Sequence, residues 1–240
     1  GAKPLAGFPG DKITEGLDGL RERLDEYVTL GARFTKWRAV ITIGSGLPSL
    51  TALRANAHAL ARFAALSQEA GLVPIVEPEV LMDGDHSLER HGEVTRDAHR
   101  RVFDALAEHG VLLEGMLLKP NMAVPGKGGK QRVSVQEVAE KTVKLLKACV
   151  PGAVPGIAFL SGGQSDEEAT ANLDAMNKIG NLPWPLTFSY GRALQAAPQK
   201  AWAGKAENVA AGQRAFSHRA KMNSLAALGQ WKADLEKKAA

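Results

Sequence analysis

Short apolar runs recur along the chain, and each is followed by a longer segment in which apolar residues return with helical spacing. The runs begin 30 to 42 residues apart, which suits a strand, a loop and a helix and is too long for a hairpin. The predicted strands are 36–44, 72–80, 114–122, 156–163 and 186–191. The pattern therefore predicts a repeated β-strand and α-helix unit.

Helix signals fill the intervals between these runs. The Ala- and Leu-rich segment 49–71 ends on a glycine, the residue type most common just beyond a helix C-terminus. Two serine–glutamate pairs have the three-residue spacing of a capping box, in which the two residues satisfy backbone N–H groups of the first turn. These pairs are Ser134 with Glu137 and Ser165 with Glu168. Further helices are predicted from Arg192, and from about Glu207 through the C-terminus with short breaks.

Alternating strands and helices predict a parallel sheet covered by helices, either doubly wound or closed as a (β/α)8 TIM barrel. Charged residues inside two strands distinguish these folds. Lys36 and Arg38 lie two residues apart, as do Glu77 and Glu79, so each pair shares one face of its strand. Such a face suits the lumen of a barrel near its C-terminal mouth better than contact with covering helices.

The predicted fold class is therefore an α/β TIM barrel. Residues 1–240 are assigned to a single domain, because no linker-like segment divides them. A barrel of this type has eight strands, and five are visible, so roughly a hundred residues of βα structure are expected to be absent. We expect the chain to be truncated at its front and to supply roughly strands four to eight.

Composition narrows the class of protein only slightly. The chain has 45% hydrophobic and 23% charged residues, close to the globular average and far from collagen-like, coiled-coil or disordered chains. The net charge of +4 suits an anionic small molecule as well as a nucleic acid, so its sign alone decides nothing.

Localisation is predicted from what the sequence lacks. No apolar run approaches the ~18 residues of a membrane span, and the first residues lack the order of a signal peptide. The single cysteine, Cys149, excludes an internal disulfide and agrees with a reducing compartment. A cytoplasmic protein with no membrane partner is therefore expected.

Lys119 ends one of the apolar runs and is the strongest candidate for covalent chemistry. Desolvation and a nearby cation, here Lys36, favour a neutral lysine amine, which can attack a carbonyl to form a Schiff base. Glu77 and Glu79 add carboxylates suited to proton transfer. For Lys119 alone, the alternative is a side chain that extends to solvent. For the whole cluster, the alternative is an ion-pair network that only fixes strand register.

Two loops that follow neighbouring strands have the composition of phosphate-binding loops. LSGGQS (160–165) and FSYGR (188–192) each place glycine between a strand and a helix, where backbone N–H groups can approach an anion. Arg192 adds a guanidinium that can bind phosphate through two hydrogen bonds. Glycine also serves strand-to-helix turns for steric reasons, but two adjacent loops at the usual phosphate position of a barrel predict a phosphate ester. The candidate residues are Ser161, Gly162, Ser189, Gly191 and Arg192.

Other reactive residues carry weaker signals. The segment 83–87 offers carboxylates and His86, but no second ligand at suitable spacing, so a turn is predicted and a metal site is not. His99 and His109 fall on a charged helix and are predicted to face solvent. Cys149, without a nearby partner, is assigned to packing. The basic segment near the C-terminus lacks interleaved aromatic residues, so nucleic-acid binding is not predicted.

Five motifs, in order and spacing, resemble the class I (Schiff-base) fructose-1,6-bisphosphate aldolases of glycolysis. They are KWRAV, VPIVEPE, LEGMLLKPNM, FLSGGQS and LTFSYGRALQ, and the resemblance covers essentially the whole chain. It implies a TIM-barrel lyase that reversibly cleaves fructose 1,6-bisphosphate to dihydroxyacetone phosphate and glyceraldehyde 3-phosphate. It also implies that no metal or cofactor is needed. Because this family is commonly tetrameric, the resemblance implies a homotetramer.

The resemblance implies a role for each matched residue. Lys119, in LLKPN, would attack the C2 ketone. Glu77 would be the general acid/base for carbinolamine dehydration, and Glu79 would orient and tune the cluster. Lys36 would stabilise negative charge as the C3–C4 bond breaks, and Arg38 would help to bind the C6 phosphate. The residues that match the C1-phosphate site are Ser161, Gly162, Gly191 and Arg192.

Two departures from the family leave alternatives open. The family's second general base, an aspartate, and a further active-site lysine belong to segments upstream of Gly1, and the chain ends KADLEKKAA where many animal members have a tyrosine. Release of the enamine product is expected to use another group or to be slow. The alternatives are a non-catalytic fragment that only binds partners or serves a structural role, and a phosphate-binding barrel isomerase that does not require Lys119.

Overall fold

A computed structural model describes residues 1–238 and shows a parallel sheet of five strands in sequence order. A short antiparallel hairpin of β1 (Ala2–Pro4) and β2 (Lys12–Thr14) precedes it. The sheet strands are β3 (Phe34–Ile41), β4 (Val73–Val80), β5 (Leu117–Leu118), β6 (Ile157–Phe159) and β7 (Leu186–Phe188). Each predicted strand is present, so the βα repeat is confirmed.

Helices follow the strands as the apolar pattern predicts. They are α1 (Leu20–Thr29), α2 (Leu50–Glu69), α3 (Leu88–Glu108), α4 (Val135–Cys149), α5 (Asp166–Ile179), α6 (Arg192–Trp202) and α7 (Val209–Ala227). Both predicted capping boxes are present, at the first turns of α4 and α5. In each box the serine side chain accepts a hydrogen bond from the backbone N–H three residues later, which satisfies a donor that the helix itself leaves unpaired.

The predicted C-terminal helix is interrupted. After α7 the chain turns at Gly229, whose φ of 67° lies in the left-handed region that ends helices. A 3-10 segment then covers Ala233–Lys238. The last two residues of the predicted helix, 239–240, lie outside the described residues.

The sheet does not close on itself within residues 1–238. Its edges are β3 and β7, whereas a barrel would pair its first and last strands. The hairpin covers part of the β3 edge, where the Thr14 hydroxyl donates to the Arg38 carbonyl at 2.6 Å. The parallel α/β architecture is thus confirmed, and the closed barrel is not formed by these five strands.

The core lies between the sheet and helices α2 to α5. Its most deeply buried large side chains include Leu60 and Phe63 of α2, Leu106 of α3, Leu146 of α4 and Phe159 of β6. Burial of each contributes roughly 1.5–3 kcal/mol to folding. This packing fixes the helices against the sheet, and so it fixes the end of the sheet at which the loops after the strands lie. None of the described helices has a stretch long and apolar enough to cross a membrane.

The prediction that His99 faces solvent is wrong. His99 is 0% exposed, because its neighbours one turn away on α3, Thr95, Val102 and Phe103, form the buried face of that helix. Its Nδ1 lies 3.7 Å from the Cys149 sulfur, so the cysteine does have a neighbour. Burial lowers the pKa of His99 to about 4 and raises the pKa of Cys149 to about 11, and both groups are neutral near pH 7.

Candidate active site

The charged side chains of β3 and β4 share one face of the sheet, as their two-residue spacing predicts. The two strands pair in parallel over eight residues, with Arg38 beside Glu77 in the register. Trp37, between the two cations of β3, lies on the opposite face, where it is buried and stacks on Phe63 of α2 at 5.5 Å. One face of β3 therefore packs into the core, and the other presents its cations to β4.

Glu77 is the centre of the charged cluster. One carboxylate oxygen, Oε1, lies 3.2 Å from the Lys119 ammonium, and the other, Oε2, lies 2.9 Å from that of Lys36. The Glu77 side chain is only 4% exposed. A buried carboxylate is tolerated when opposite charges compensate for the water it has lost, and here two ammonium groups do so. We call Lys36, Glu77 and Lys119 the lysine–glutamate cluster.

The two lysines of this cluster differ in their access to water. Lys119 directly follows β5, where its backbone N–H donates to the Val76 carbonyl at 2.8 Å. Its side chain is 12% exposed, against 41% for Lys36. The amine that is shielded from water and held against the buried carboxylate is the better placed of the two to act as a nucleophile. The geometry therefore favours Lys119 over Lys36 for covalent chemistry.

A second ion pair flanks the lysine–glutamate cluster. Arg38 donates from its Nε to a carboxylate oxygen of Glu79, and the hydrogen bond raises the pKa of Arg38 above its ordinary value, against the opposing effect of burial. The guanidinium is therefore a fixed cation. Its side chain is nearly half exposed, so its remaining N–H groups can reach a ligand.

The loop LSGGQS begins beside the strand end that carries Lys119. The Leu160 N–H donates to the Pro120 carbonyl at 3.1 Å, and the next residue, Ser161, is buried. A Cβ on Gly162 would lie 2.8 Å from a Leu160 methyl carbon, and one on Gly163 would lie 1.6 Å from the Met82 sulfur. Gly163 also has a φ of 74°, a conformation that favours glycine, whereas a side chain at position 162 would require the Leu160 side chain to move.

The second loop follows the next strand, β7, at the same C-terminal end of the sheet. The Ser189 N–H donates to the Phe159 carbonyl at 3.0 Å, which ties the end of β7 to β6. Gly191 then precedes α6, whose first residue is Arg192, and both residues are exposed. The N-termini of α5 and α6 therefore lie at the same C-terminal end of the sheet. A helix N-terminus carries a partial positive charge that favours anions.

The strand order places the two candidate phosphate sites on opposite sides of the amine. Arg38 lies on β3, the first strand of the sheet; Lys119 follows the middle strand, β5; and Arg192 follows the last strand, β7. All predicted site residues thus lie on the five adjacent strands or in the loops and first helical residues directly after them.

Two polar residues of this region escape the sequence patterns. Asn121, 3% exposed, accepts from the Val80 N–H through its side-chain oxygen, and His91 of α3 contacts the Val80 carbonyl at 3.2 Å through Nε2. The His91 Nδ1 accepts from the Val124 N–H at 3.3 Å. The sequence signal that could have indicated an irregular sheet here is the pair of prolines in β4. Each proline removes a backbone donor that a regular sheet would use.

No group of three His, Cys, Asp or Glu side chains within residues 1–238 is arranged to hold a metal ion. In the segment 83–87, the ring of His86 stacks against that of His91 at a centroid distance of 5.2 Å.

The comparisons with known proteins agree on one family. Residues 1–240 match the family described as fructose-bisphosphate aldolase class-I. A probable fructose-bisphosphate aldolase class 1 of Xanthomonas campestris is 60% identical over 97% of this chain and 70% of its own length. The cytosolic fructose-bisphosphate aldolase 4 of Arabidopsis thaliana is 53% identical over 98% of this chain and 60% of its own.

The solved structures include a similar chain. Fructose-bisphosphate aldolase from Plasmodium falciparum, in a complex with TRAP and a small-molecule inhibitor, superposes with a TM-score of 0.95. The two chains are 49% identical, and the match covers 97% of this chain and 68% of the other.

Proposed function

The chain belongs to the class I fructose-bisphosphate aldolase family, and from that premise we propose that Lys119 is the residue on which it forms the Schiff base. The resemblance of the five motifs to this family is thereby confirmed. The enzyme class is a carbon–carbon lyase that uses a lysine imine. The observation that carries the assignment of Lys119 is the Glu77 carboxylate, which lies between the amine of Lys119 and that of Lys36.

Formation of the imine needs a neutral amine and a proton donor in the same place. The Lys119 amine adds to the C2 carbonyl of the open-chain sugar to give a carbinolamine, and the C2 hydroxyl must then leave as water. The Glu77 carboxylate, 3.2 Å from the Lys119 nitrogen, accepts the proton that the ammonium loses and then donates that proton to the C2 hydroxyl as general acid. The carboxylate left behind stabilises the protonated imine through its negative charge.

Cleavage uses the protonated imine as an electron sink. The electrons of the C3–C4 bond move toward C2 and neutralise the iminium nitrogen, and an aldehyde forms at C4 as its hydroxyl proton passes to a carboxylate base, the aspartate that the family resemblance implies. Lys36, with its ammonium on the other oxygen of Glu77, is placed to stabilise negative charge during this step. Glu79 holds Arg38 and tunes the field beside the cluster.

The substrate is expected to carry a phosphate at each end, because the two groups of binding residues lie on opposite sides of Lys119. The family resemblance assigns Arg38 to the C6 phosphate, and its position on the first strand puts it on the side of Lys119 away from the two loops. The C1 phosphate is assigned to the two glycine-containing loops, which follow the last two strands. The residues of that second site are Ser161, Gly162, Ser189, Gly191 and Arg192.

The same proposal includes the assembly. Residues 1–240 are taken as one domain that supplies strands four to eight of a TIM barrel, and the unpaired edges of β3 and β7 support this. A homotetramer is proposed from membership of the family. A cytoplasmic location is supported by the relatives from Arabidopsis thaliana and Spinacia oleracea, which are named cytosolic and cytoplasmic isozymes.

Reductive trapping tests the assignment of Lys119. The purified protein is mixed with fructose 1,6-bisphosphate and borohydride, and the adduct is mapped by mass spectrometry. We expect the adduct on Lys119, and we expect Lys119→Met to lower kcat by ~10⁴-fold or more. The matched control is Lys178→Met, which removes a lysine paired with Asp174 at 2.5 Å on α5 and should leave both readouts unchanged.

The remaining outcomes separate the alternatives. Folded protein that binds the sugar phosphate without forming an adduct would indicate the non-catalytic fragment. An isomerase that shares the phosphate loops would keep much of its rate in Lys119→Met. An adduct on another lysine would contradict the proposed site.

A further inference from the structure

The hydrogen-bond ladder between β4 and β5 is interrupted where the lysine–glutamate cluster is assembled. The Val76 carbonyl accepts a hydrogen bond from the Lys119 N–H, so the backbone polar groups of Val76 point toward β5. By strand alternation, the backbone groups of Pro74, Pro78 and Val80 point toward β5 too. In a regular parallel ladder residue 78 would donate next, to the Lys119 carbonyl. Proline has no N–H, so this rung is missing. Backbone pairing of the two strands is accordingly limited to Leu117–Leu118 on the β5 side.

The side chain of Asn121 closes the interruption. In a regular ladder the Val80 N–H would donate to the backbone carbonyl of residue 121. It donates instead to the side-chain oxygen of Asn121, at 2.9 Å. The Asn121 amide nitrogen donates to the Thr95 hydroxyl and to the Met122 carbonyl, both at 3.2 Å. The amide is therefore bonded at its oxygen and through both of its N–H groups, which fixes its orientation.

The position of this side-chain rung bears on the reaction. Glu77 lies in the part of β4 between the backbone rung at Val76 and the side-chain rung at Val80, and Lys119 lies two residues before Asn121. The two strands are therefore joined before Glu77 by the backbone hydrogen bond at Val76 and after it by the Asn121 side chain at Val80. The distance of 3.2 Å between the Lys119 amine and Glu77 depends on both of these connections.

We propose that Asn121 is a positioning residue that holds Lys119 against Glu77 by replacing a backbone rung of the sheet. This inference rests on the proposed role of Lys119 in the Schiff base. Asn121 touches neither the substrate nor the reacting atoms in this proposal. It acts only through the placement of the amine and of the carboxylate.

Loss of this rung should slow the chemistry more than it weakens binding. Displacement of a reacting group by about 1 Å can lower a rate ~100-fold. The phosphate loops follow β6 and β7, and α5 and α6 hold their far ends, so the affinity for phosphate should change little. Asn121→Ala is expected to lower kcat at least ~10-fold while KM stays within about 3-fold.

The test compares Asn121→Ala with a matched variant elsewhere. Asn56 is 2% exposed, and its amide donates to the Lys12 and Ala52 carbonyls at 2.8 and 2.9 Å. Asn56→Ala should lower the stability to a similar extent without changing kcat. Thr95→Val removes one partner of the Asn121 amide and keeps the bond to Val80; it is expected to lower kcat about 3-fold.

The readouts are kcat, KM, thermal unfolding and the single-turnover rate of borohydride trapping at Lys119. Slower trapping in Asn121→Ala than in Asn56→Ala, at comparable stability, supports the inference. If Asn121→Ala does not fold, the trapping rate of folded Thr95→Val decides, and an unchanged rate overturns the inference. If the wild-type adduct lies on Lys119 and both asparagine variants trap equally fast, only the role of Asn121 is wrong. A wild-type adduct elsewhere would overturn both proposals.

Discussion

The two halves of the site are built in opposite ways. On β3 to β5 the functional groups are side chains of the strands and of one strand end, and they are paired with one another around Glu77, which is buried between Lys36 and Lys119. After β6 and β7 they are glycines and an exposed arginine in loops that lead into helix N-termini. A covalent step requires atoms that are already in place, whereas capture of a phosphate requires donors that are still open to solvent. Substitutions in the two halves should therefore separate kcat from KM.

Removal of one charge from the buried half should have the largest effect. Glu77→Gln keeps the shape of the side chain but loses the proton that the carbinolamine needs, and kcat is expected to fall by ~10²–10⁴-fold with little change in KM. Steady-state kinetics on fructose 1,6-bisphosphate measure this. The control is Glu69→Gln, which breaks an exposed ion pair with Arg21 and should leave kcat unaltered. Equal kcat in the two variants would contradict the role of Glu77.

Buried histidines make the fold itself sensitive to acid. Burial lowers the pKa of His91 and of His99 to about 4, below the ~6.5 of an unfolded chain. The unfolded state therefore binds more protons between these values, so the stability is complete above pH 6.5 and is lost as the pH falls toward 4. Each histidine should account for about 3 kcal/mol of unfolding free energy over this interval.

Urea unfolding at a series of pH values measures this loss. His99→Leu should flatten the curve between pH 4 and 6.5 by the share of one histidine. The control is His58→Gln, since His58 lies on the exposed side of α2 and should change the slope much less. A wild-type curve that is flat across this interval would contradict the burial of these rings.

In the open half, loss of a guanidinium should weaken binding more than chemistry. Arg192→Ala is expected to raise KM for fructose 1,6-bisphosphate ~10- to 100-fold, because a hydrogen bond to a charged group contributes about 1.5–3 kcal/mol. The value of kcat should stay within about 3-fold. The control is Arg54→Ala, which removes an exposed arginine of α2. A large fall in kcat at constant KM would place Arg192 in the chemistry instead.

The smallest effect is expected from the two helix caps. Ser134→Ala and Ser165→Ala each remove a capping box, and each should lower the unfolding free energy by about 1 kcal/mol. Ser165 ends the LSGGQS loop, so only its replacement should also raise KM. Thermal unfolding and kinetics on the two variants separate these contributions. An equal KM in both variants would indicate that the loop is held without its cap.

The sequence predicts those parts of the fold that depend on local periodicity. Apolar runs locate all five strands of the sheet, and the two-residue spacing of Glu77 and Glu79 predicts their shared face. The hairpin β1–β2 is missed because strands of three residues carry no alternation. Helix α1 is missed because only Leu20 and Leu24 form its buried face. Strand β5 is much shorter than predicted, because its length depends on the donors of β4 and not on its own apolar residues.

Local sequence patterns also do not predict which polar side chains are buried. His99 lies among charged residues in sequence, yet it points into the interface of α3 with α4. Asn121 follows a proline and resembles a loop residue. Its hydrogen bond to β4 can be recognised only once the strands are paired and Pro78 is seen to leave a gap in the backbone ladder. Both depend on contacts between residues distant in the chain, which a single sequence does not specify.

If the two phosphates bind as proposed, the order of the strands also makes the site sensitive to the length of the ligand. A sugar that carried only one phosphate would be anchored on one side of Lys119 alone, and its carbonyl could pivot past the amine. A molecule with two anionic ends would be held at both sides of the sheet, and its reactive carbon would then lie above the middle strand. In that binding mode the order of β3, β5 and β7 along the backbone would select substrates by the distance between their two phosphates.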